Sequence, residues 1–195
     1  FILSDVVGDD LSSIASGMTA VDPTTFEDAL GIIEKYGIAD SVPAKVMQTL
    51  EYGRKGVIAE TLKADGEAAA LSTNILIGTL AQAMAAAADK AAGLGYSVVR
   101  LTSRITGDAG ETARILAAIA ADTAGSELLS NKPACVISGG EPVVKLTGEG
   151  KGGRNKEMAL VFLKEIQAHP ELFEGVTFLA ASTDGNDGPT DAAGA

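Results

Sequence analysis

The feature that most constrains the fold is an alternation of short apolar segments with longer helical ones, which begins at residue 74. Helical patterns of about 12–16 residues separate most of the apolar segments, as in βαβ units. Such an alternation predicts a parallel sheet covered by helices, so we expect an α/β fold with three α/β/α layers. The segments of strand type are residues 74–78, 96–103, 134–140, 142–148 and 175–183.

The residues before this alternation predict a further strand and two helices. Residues 1–7, FILSDVV, form an apolar run that predicts a buried strand. A long polar loop follows it, which is where α/β proteins place ligands. Residues 59–73 are small and polar and predict a linker or crossover.

Helical patterns occupy residues 24–37 and 43–56. The first can be capped by Thr24 or Thr25, because a hydroxyl there accepts from free backbone N–H groups. We expect Gly53 to close the second helix, since glycine commonly ends helices.

Composition excludes several classes of protein. The chain has 195 residues, is 46% hydrophobic and carries a net charge of −11, so it can bury a core but has no basic footprint for nucleic acid. No signal peptide or membrane-spanning run of about 20 apolar residues is visible. The single cysteine fits a reducing, cytoplasmic compartment. Phe1 at the start and a Gly/Asp-rich stretch at the end predict an internal piece of a longer protein.

Four Gly/Asp-rich loops follow predicted strands, and the carboxyl ends of strands in an open α/β sheet converge on a crevice. We therefore expect these loops to form the functional site. They are residues 4–10, 138–141, 148–155 and 183–191.

The third loop has the composition of an anion cradle. Glycines let the backbone approach an anion with its N–H groups, and Arg154 offers a planar donor fork suited to phosphate or carboxylate. Asn155 is the expected N-cap of a following helix, whose positive end would add to the attraction. The equally weighted alternative is a mobile connection with solvated charges. The loop carries Gly148, Gly150, Lys151, Gly152 and Gly153, with Lys156 just beyond, and it is neither a Walker A loop nor a dinucleotide fingerprint.

The other loops supply carboxylates and further backbone donors. Asp184, Asp187 and Asp191 could hold a hard cation such as Mg²⁺, or form an Asx-rich turn that binds its own backbone. Asp5, near the end of the first strand, is a candidate base or metal ligand.

The segment SGGE contains Ser138, Gly139, Gly140 and Glu141, and its two glycines offer backbone donors. Ser138 lacks the nucleophile elbow of a hydrolase. The single histidine, His169, is expected at an exposed helix end.

Together the motifs SDVVGDDLSSIASGMT, VDPTTF, SGGE, GKGGRNKE and TDGNDGPTDAAGA resemble the class II glycerate kinases, a family also labelled hydroxypyruvate reductases, whose C-terminal part is the MOFRL domain. Lys156 stands where this family usually has Gln, and Met18 where it usually has Pro. The resemblance implies that residues 1–68 end a Rossmann-like N-terminal domain. Residues 69–195 would form a smaller α/β domain that includes the start of the MOFRL region, with the active site in the cleft between the two.

The resemblance also implies phosphorylation of D-glycerate to 2-phosphoglycerate with ATP and Mg²⁺. Its catalytic residues would be Asp5 and Arg154, and its metal ligands Asp184 and Asp187. A catalytic lysine of the family would lie outside this sequence, and a homodimer is left open. The nucleotide- and substrate-binding set would be Ser138, Gly139, Gly140, Glu141, Gly150, Lys151, Gly152, Gly153, Asn155, Thr183, Asp184, Gly185 and Asp187.

Two other functions remain open from the sequence. One is a nicotinamide-dependent hydroxypyruvate reductase, although no G-x-G-x-x-G motif follows a predicted strand. The other is an anion-binding module without turnover.

Overall fold

A computed structural model describes residues 1–64, 66–126 and 131–195. It divides into two compact units, Phe1–Ile77 and Gly78–Ala195, which are described separately below. The domain boundary expected at residues 68 and 69 stays a prediction.

The first unit contains a short strand pair. Strand β1 (Ile2–Leu3) pairs with β2 (Leu76–Gly78), and the amide of Ile2 donates to the carbonyl of Ile75 at 2.8 Å. The strand predicted over residues 1–7 is therefore wrong beyond Leu3. The chain instead turns, because the amide of Asp9 donates to the carbonyl of Val6 at 3.1 Å.

Two helices pack on each other in this unit, α1 (Phe26–Tyr36) and α2 (Ala44–Arg54). The Thr25 hydroxyl accepts from the amide of Asp28, and the Asp28 carboxylate accepts from the amide of Thr25, so Thr25 is the cap. Gly53 does not close the second helix as predicted. It lies inside α2, where a Cβ would overlap the ring of Phe26.

The predicted linker is tied to the segment before α1. The ammonium of Lys63 donates to the carbonyl of Asp22 at 3.1 Å and also to the carbonyl of Thr24. The Thr61 hydroxyl donates to the Asp22 carboxylate at 2.8 Å. Short 3-10 helices at Ile14–Gly17, Ala39–Ser41 and Glu67–Leu71 complete the unit.

The second unit is built on a parallel pair of strands. Strand β3 (Ser97–Ile105) pairs with β4 (Ala134–Gly140), in a register that places Val98 opposite Cys135. Helix α3 (Leu80–Gly93) packs against both strands, and α4 (Ala109–Gly125) lies between them in the chain. Parallel strands joined through a helix confirm the α/β class, and both strands lie where the sequence predicts them.

Two other strand predictions in this unit are wrong. In residues 142–148, only Val143 forms a bridge, which is parallel and to Asp108. In residues 175–183, only Ala181 forms one, which is antiparallel and to Gly194. The apolar pattern predicted burial correctly, since Phe178 packs against the core. Burial alone does not provide the backbone hydrogen-bond partners that a strand requires.

The core of this unit supports helix α5 (Arg154–Ala168), which packs on α4. Ala109 and Ala113 are fully buried against Met158 and Val161. Phe162 stacks on Phe178 with ring centroids 4.1 Å apart and meets the edge of Phe173 at 5.7 Å. Because close-packed side chains hold α5 in place, its first turn is a rigid base for the residues at its start. A 3-10 helix at Pro170–Leu172 follows it.

Candidate active site

The start of α5 differs from the prediction. The helix begins at Arg154 and its N-cap position is Gly153, which has no side chain to accept from the first turn. Asn155, the predicted cap, is the second residue of the helix and is buried. The free amides of this turn therefore need an acceptor from elsewhere.

That acceptor is Asp187, which lies 32 residues further along the chain and is 3% exposed. Its Oδ1 accepts from the backbone amide and from the side-chain Nδ2 of Asn155, both at 3.1 Å. Its Oδ2 accepts from the amide of Lys156 at 2.8 Å. A carboxylate at the positive end of a helix is favourable, so these bonds attach the loop at 183–191 to α5.

Two glycines make this attachment possible. A Cβ on Gly153 would overlap the Asp187 carboxylate, although the φ of Gly153, −146°, is one that any residue adopts. Gly188 has φ +58°, and a Cβ there would overlap the carbonyl of Gly152. Both glycines are therefore required by close approach of the two loops.

Arg154 points to two carboxylates. Its Nη1 lies 2.6 Å from Oε2 of Glu141, and its Nη2 donates to Oε1 of the same residue at 3.0 Å. Its Nη2 also lies 3.2 Å from Oδ2 of Asp184. The Arg154 side chain is 26% exposed, so solvent or a ligand can still reach the guanidinium.

Backbone contacts hold Glu141 in place. Its amide donates to the carbonyl of Ile105 at 2.8 Å, where β3 ends. A Cβ on Gly140 would overlap the backbone of Ile105, and one on Gly139 would lie 3.0 Å from the side chain of Leu80 on α3. Both glycines of SGGE are thus explained by packing, and Ser138 lies beside Thr102 in the sheet.

In the exposed part of the loop at 148–155, packing does not require glycine. A Cβ on Gly148 or Gly150 would meet no atom within 4 Å, and one on Gly152 would only touch the Cβ of Lys156 at 4.0 Å. Lys151 is exposed. Packing in this unit therefore explains Gly153 alone among the four loop glycines.

The other predicted site residues of the loop at 183–191 lie at the surface. Thr183, Asp184 and Gly185 are exposed, and the amide of Asp184 donates to the Ser182 hydroxyl at 3.0 Å. The Lys156 ammonium contacts the hydroxyl of Thr190.

Asp5 belongs to the first unit and is exposed beside the buried Ser4. Further along the same loop, Asp10 accepts from the hydroxyls of Ser12 and Ser13, both at 2.7 Å. Those hydrogen bonds, with that of Ser12 first, hold the pKa of Asp10 below its usual value. Asp10 is therefore used in local loop structure.

Within residues 1–64, 66–126 and 131–195, no group of three or more His, Cys, Asp or Glu side chains could hold a metal ion. In the same part of the chain, no helix has the length and apolar character needed to cross a membrane.

Comparison with known proteins identifies matching family models and relatives. Residues 134–195 match the MOFRL family and residues 1–51 match a domain of unknown function, DUF4147. Glycerate 2-kinase of Pyrococcus horikoshii is 40% identical over 194 residues, which are 99% of this chain and 42% of that protein. A relative in Agrobacterium vitis, provisionally named hydroxypyruvate reductase, is 38% identical over 198 residues, or 100% of this chain and 42% of that protein.

A solved structure agrees with these relatives. The crystal structure of glycerate kinase from Thermotoga maritima superposes with a TM-score of 0.74 at 36% identity, covering 98% of this chain and 43% of that one. The chain is similar to glycerate 2-kinases over nearly its whole length. It spans less than half the length of the relatives named here.

Three of the four predicted loops meet inside the unit Gly78–Ala195. Arg154 joins the loops of Glu141 and Asp184, and Asp187 joins its loop to α5. The fourth loop, with Asp5, lies in the other unit.

Sequence reasoning missed the roles of Gly188 and Thr190. The signal that could have found Gly188 is the dipeptide Asp187-Gly188, which is typical of a turn with positive φ.

Proposed function

We propose that the whole protein transfers a phosphoryl group from ATP to D-glycerate in the presence of Mg²⁺ and forms 2-phosphoglycerate. The observation that carries this proposal is the Arg154 guanidinium, held by Glu141 and Asp184 beside an exposed glycine loop. Phosphoryl transfer depends mainly on positioning and charge stabilisation, and this arrangement can provide both. The names of the relatives supply the substrate.

Arg154 would bind a phosphate or the carboxylate of the substrate. Its planar fork has five N–H donors, which suits two-point binding of either group. Its two carboxylate partners hold the guanidinium in one orientation before a ligand arrives. We infer that an anionic ligand exchanges with part of this carboxylate shell.

The exposed glycine loop would approach the nucleotide phosphates. Gly148, Gly150 and Gly152 leave space where a side chain would otherwise lie, so their backbone can come close to an oxygen anion. The ammonium of Lys151 would add a point charge from the same loop. Ser138, Gly139 and Gly140 would line the edge of the site, because they lie at the end of β4. Their backbone N–H groups would not be the main donors to the phosphate.

A magnesium ion would be held in part by a carboxylate of this site. Mg²⁺ in kinases is held by one or two carboxylates, with phosphate and water oxygens as its other ligands. The exposed carboxylate of Asp184 can serve as one such ligand. Asp187 is already used by three N–H donors, so the proposal for a metal ligand rests on Asp184. The ion would neutralise charge on the transferred phosphoryl group.

Asp5 would orient the attacking hydroxyl and accept its proton, a role that follows from the family resemblance. The glycerate oxygen then forms a bond to the γ-phosphorus, and the bond from that phosphorus to the bridging oxygen of ADP breaks. ADP leaves with the electron pair, and the hydroxyl proton is transferred to the Asp5 carboxylate. A cytoplasmic location is part of this proposal, since a single cysteine suits a reducing compartment.

The test is an assay on the full-length protein with ATP, Mg²⁺ and D-glycerate, in which the phosphorylated hydroxyl is identified by phosphorus NMR. We expect ADP and 2-phosphoglycerate in equal amounts, with no turnover when Mg²⁺ is chelated. Formation of 3-phosphoglycerate would contradict the position of transfer, and absence of any phosphoglycerate would contradict the kinase.

A hydroxypyruvate reductase is the second candidate, favoured only by the name of the Agrobacterium vitis relative. It predicts oxidation of a reduced nicotinamide when hydroxypyruvate is added. The same protein preparation decides between the two functions, because the nicotinamide absorbance would stay constant for a kinase.

A further inference from the structure

The cap of α5 links two loops that are far apart in sequence. Most helices are capped by a residue next to their first turn, but Gly153 offers no side chain. Asp187 replaces that cap with three hydrogen bonds of 2.8–3.1 Å to Asn155 and Lys156. Such charge-assisted bonds are stronger than neutral ones, so this junction is a strong constraint on both loops.

The hydrogen bonds from Asn155 and Lys156 to Asp187 lie close in sequence to both partners of the ion pair between Arg154 and Asp184. Arg154 directly precedes Asn155, and Asp184 precedes Asp187 by three residues. The Arg154 guanidinium and the Asp184 carboxylate meet at 3.2 Å. The position of one partner relative to the other is therefore set largely by how Asp187 attaches its loop to the helix.

A ligand cannot reach the carboxylate of Asp187. The residue is 3% exposed, and its carboxylate fills the space that a Cβ on Gly153 would occupy. It also uses the amides of Asn155 and Lys156, which are the donors that an anion at this helix terminus would need. An incoming phosphate therefore has to be bound by Arg154 and by the exposed loop before the helix.

We propose that Asp187 is the positioning residue of this site, which aligns Arg154 with Asp184 by capping α5 and contacts neither substrate nor metal. The kinetic consequences of this inference rest on the proposed function. The alignment of Arg154 with Asp184 can be measured without turnover.

The kinetic test uses Asp187→Asn in the full-length protein. The amide oxygen can keep the two bonds to Asn155, but its nitrogen faces the amide of Lys156 and loses the third bond. We expect kcat to fall about 10- to 100-fold, because small misplacements of a catalytic group have effects of that size. In an Arg154→Ala background the same change should have almost no further effect on kcat, since residues that act as one unit are not additive.

Two comparisons separate positioning from other roles. If Asp187 were itself a metal ligand, excess Mg²⁺ would restore much of the lost activity, whereas we expect the fall in kcat of Asp187→Asn to persist at saturating Mg²⁺. A purely structural residue would lower the melting temperature but leave kcat normal well below melting. Asp89→Asn, the same chemical change on an exposed position of α3, is the matched control and should leave kcat unchanged.

A readout without substrate keeps this inference distinct from the kinase proposal. Phenylglyoxal modifies accessible arginines, and mass spectrometry gives the modification rate of Arg154. We expect Asp187→Asn to raise that rate several-fold and to speed amide exchange in peptides that cover 153–158 and 182–190. An unchanged modification rate of Arg154, additive kinetic effects or recovery of kcat at saturating Mg²⁺ would each overturn the positioning role. An inactive wild-type protein would overturn the kinase proposal instead.

Discussion

The carboxylate of Glu141 holds the guanidinium of Arg154 at two points, with nitrogen–oxygen distances of 2.6 Å and 3.0 Å. Both side chains remain partly exposed, at 26% for Arg154 and 37% for Glu141. Exposed ion pairs contribute little to stability, about 0–1 kcal/mol, so this pair is better explained as orienting Arg154.

Glu141→Gln should therefore affect turnover more than stability. The amide keeps one acceptor for Arg154 but removes the charge and the second acceptor. We expect kcat to fall about 10-fold, because a loosened guanidinium spends less time aligned, with a melting temperature close to that of the wild type. Glu174→Gln, at an exposed position outside the site, is the control. Normal kcat in Glu141→Gln would show that Arg154 does not depend on Glu141.

Arg154→Ala should lower kcat/KM by about 100- to 1000-fold, the usual effect of removing a donor that stabilises transition-state charge. Arg154→Lys retains the positive charge but not the planar fork, so we expect it to restore only a small part of the activity. Steady-state kinetics with ATP and D-glycerate measure both variants. Arg54→Lys, in α2, is the matched control. Wild-type kinetics in Arg154→Ala would remove this residue from the mechanism.

The sequence predicts that the loops of Glu141, Arg154 and Asp184 lie in one region of an α/β fold, and they do meet, although only Glu141 directly follows a strand of the structure. The identity of the cap could not be predicted. Asn155 has the right chemistry for a local cap, but the structure uses Asp187, whose carboxylate accepts from three donors. A partner 32 residues away leaves no local signal in the sequence.

Burial was easier to predict than strand pairing. The apolar run at 175–183 does reach the core, where Phe178 stacks on Phe162. Whether such a run becomes a strand depends on partners elsewhere in the chain. Among the described residues, its long-range backbone hydrogen bonds go to residues 193–195. The periodicity of one segment contains no information about that partner.

Two loop glycines should respond differently to the same substitution. Gly153→Ala places a methyl group where the Asp187 carboxylate lies, so we expect a loss of about 1–3 kcal/mol in the free energy of unfolding from overpacking. Gly150→Ala meets no atom within 4 Å and should change that free energy by less than about 0.5 kcal/mol. Denaturant unfolding measures both.

The kinetics of these two variants test the anion cradle separately. If the exposed loop binds nucleotide phosphates, Gly150→Ala should raise the KM for ATP while its stability stays normal. An unchanged KM would place the nucleotide elsewhere. Equal stability losses in Gly150→Ala and Gly153→Ala would contradict the packing difference between the two positions.

The segment before α1 should lose stability in acid. The pKa of Asp22 is lowered to about 2, first by the side-chain hydrogen bond from Thr24, then by the Thr24 amide and the Thr61 hydroxyl. Because the folded pKa lies below the usual value of 3.8, the stabilisation is complete above about pH 4 and is lost as the pH falls through about 2. Asp22→Asn should remove this part of the pH dependence. Amide exchange in peptides covering 22–28 and 58–64, measured from pH 4 down to pH 2, checks it, with Asp89→Asn as the control. An acid profile that is the same in Asp22→Asn and the wild type would show that the carboxylate of Asp22 does not stabilise this segment.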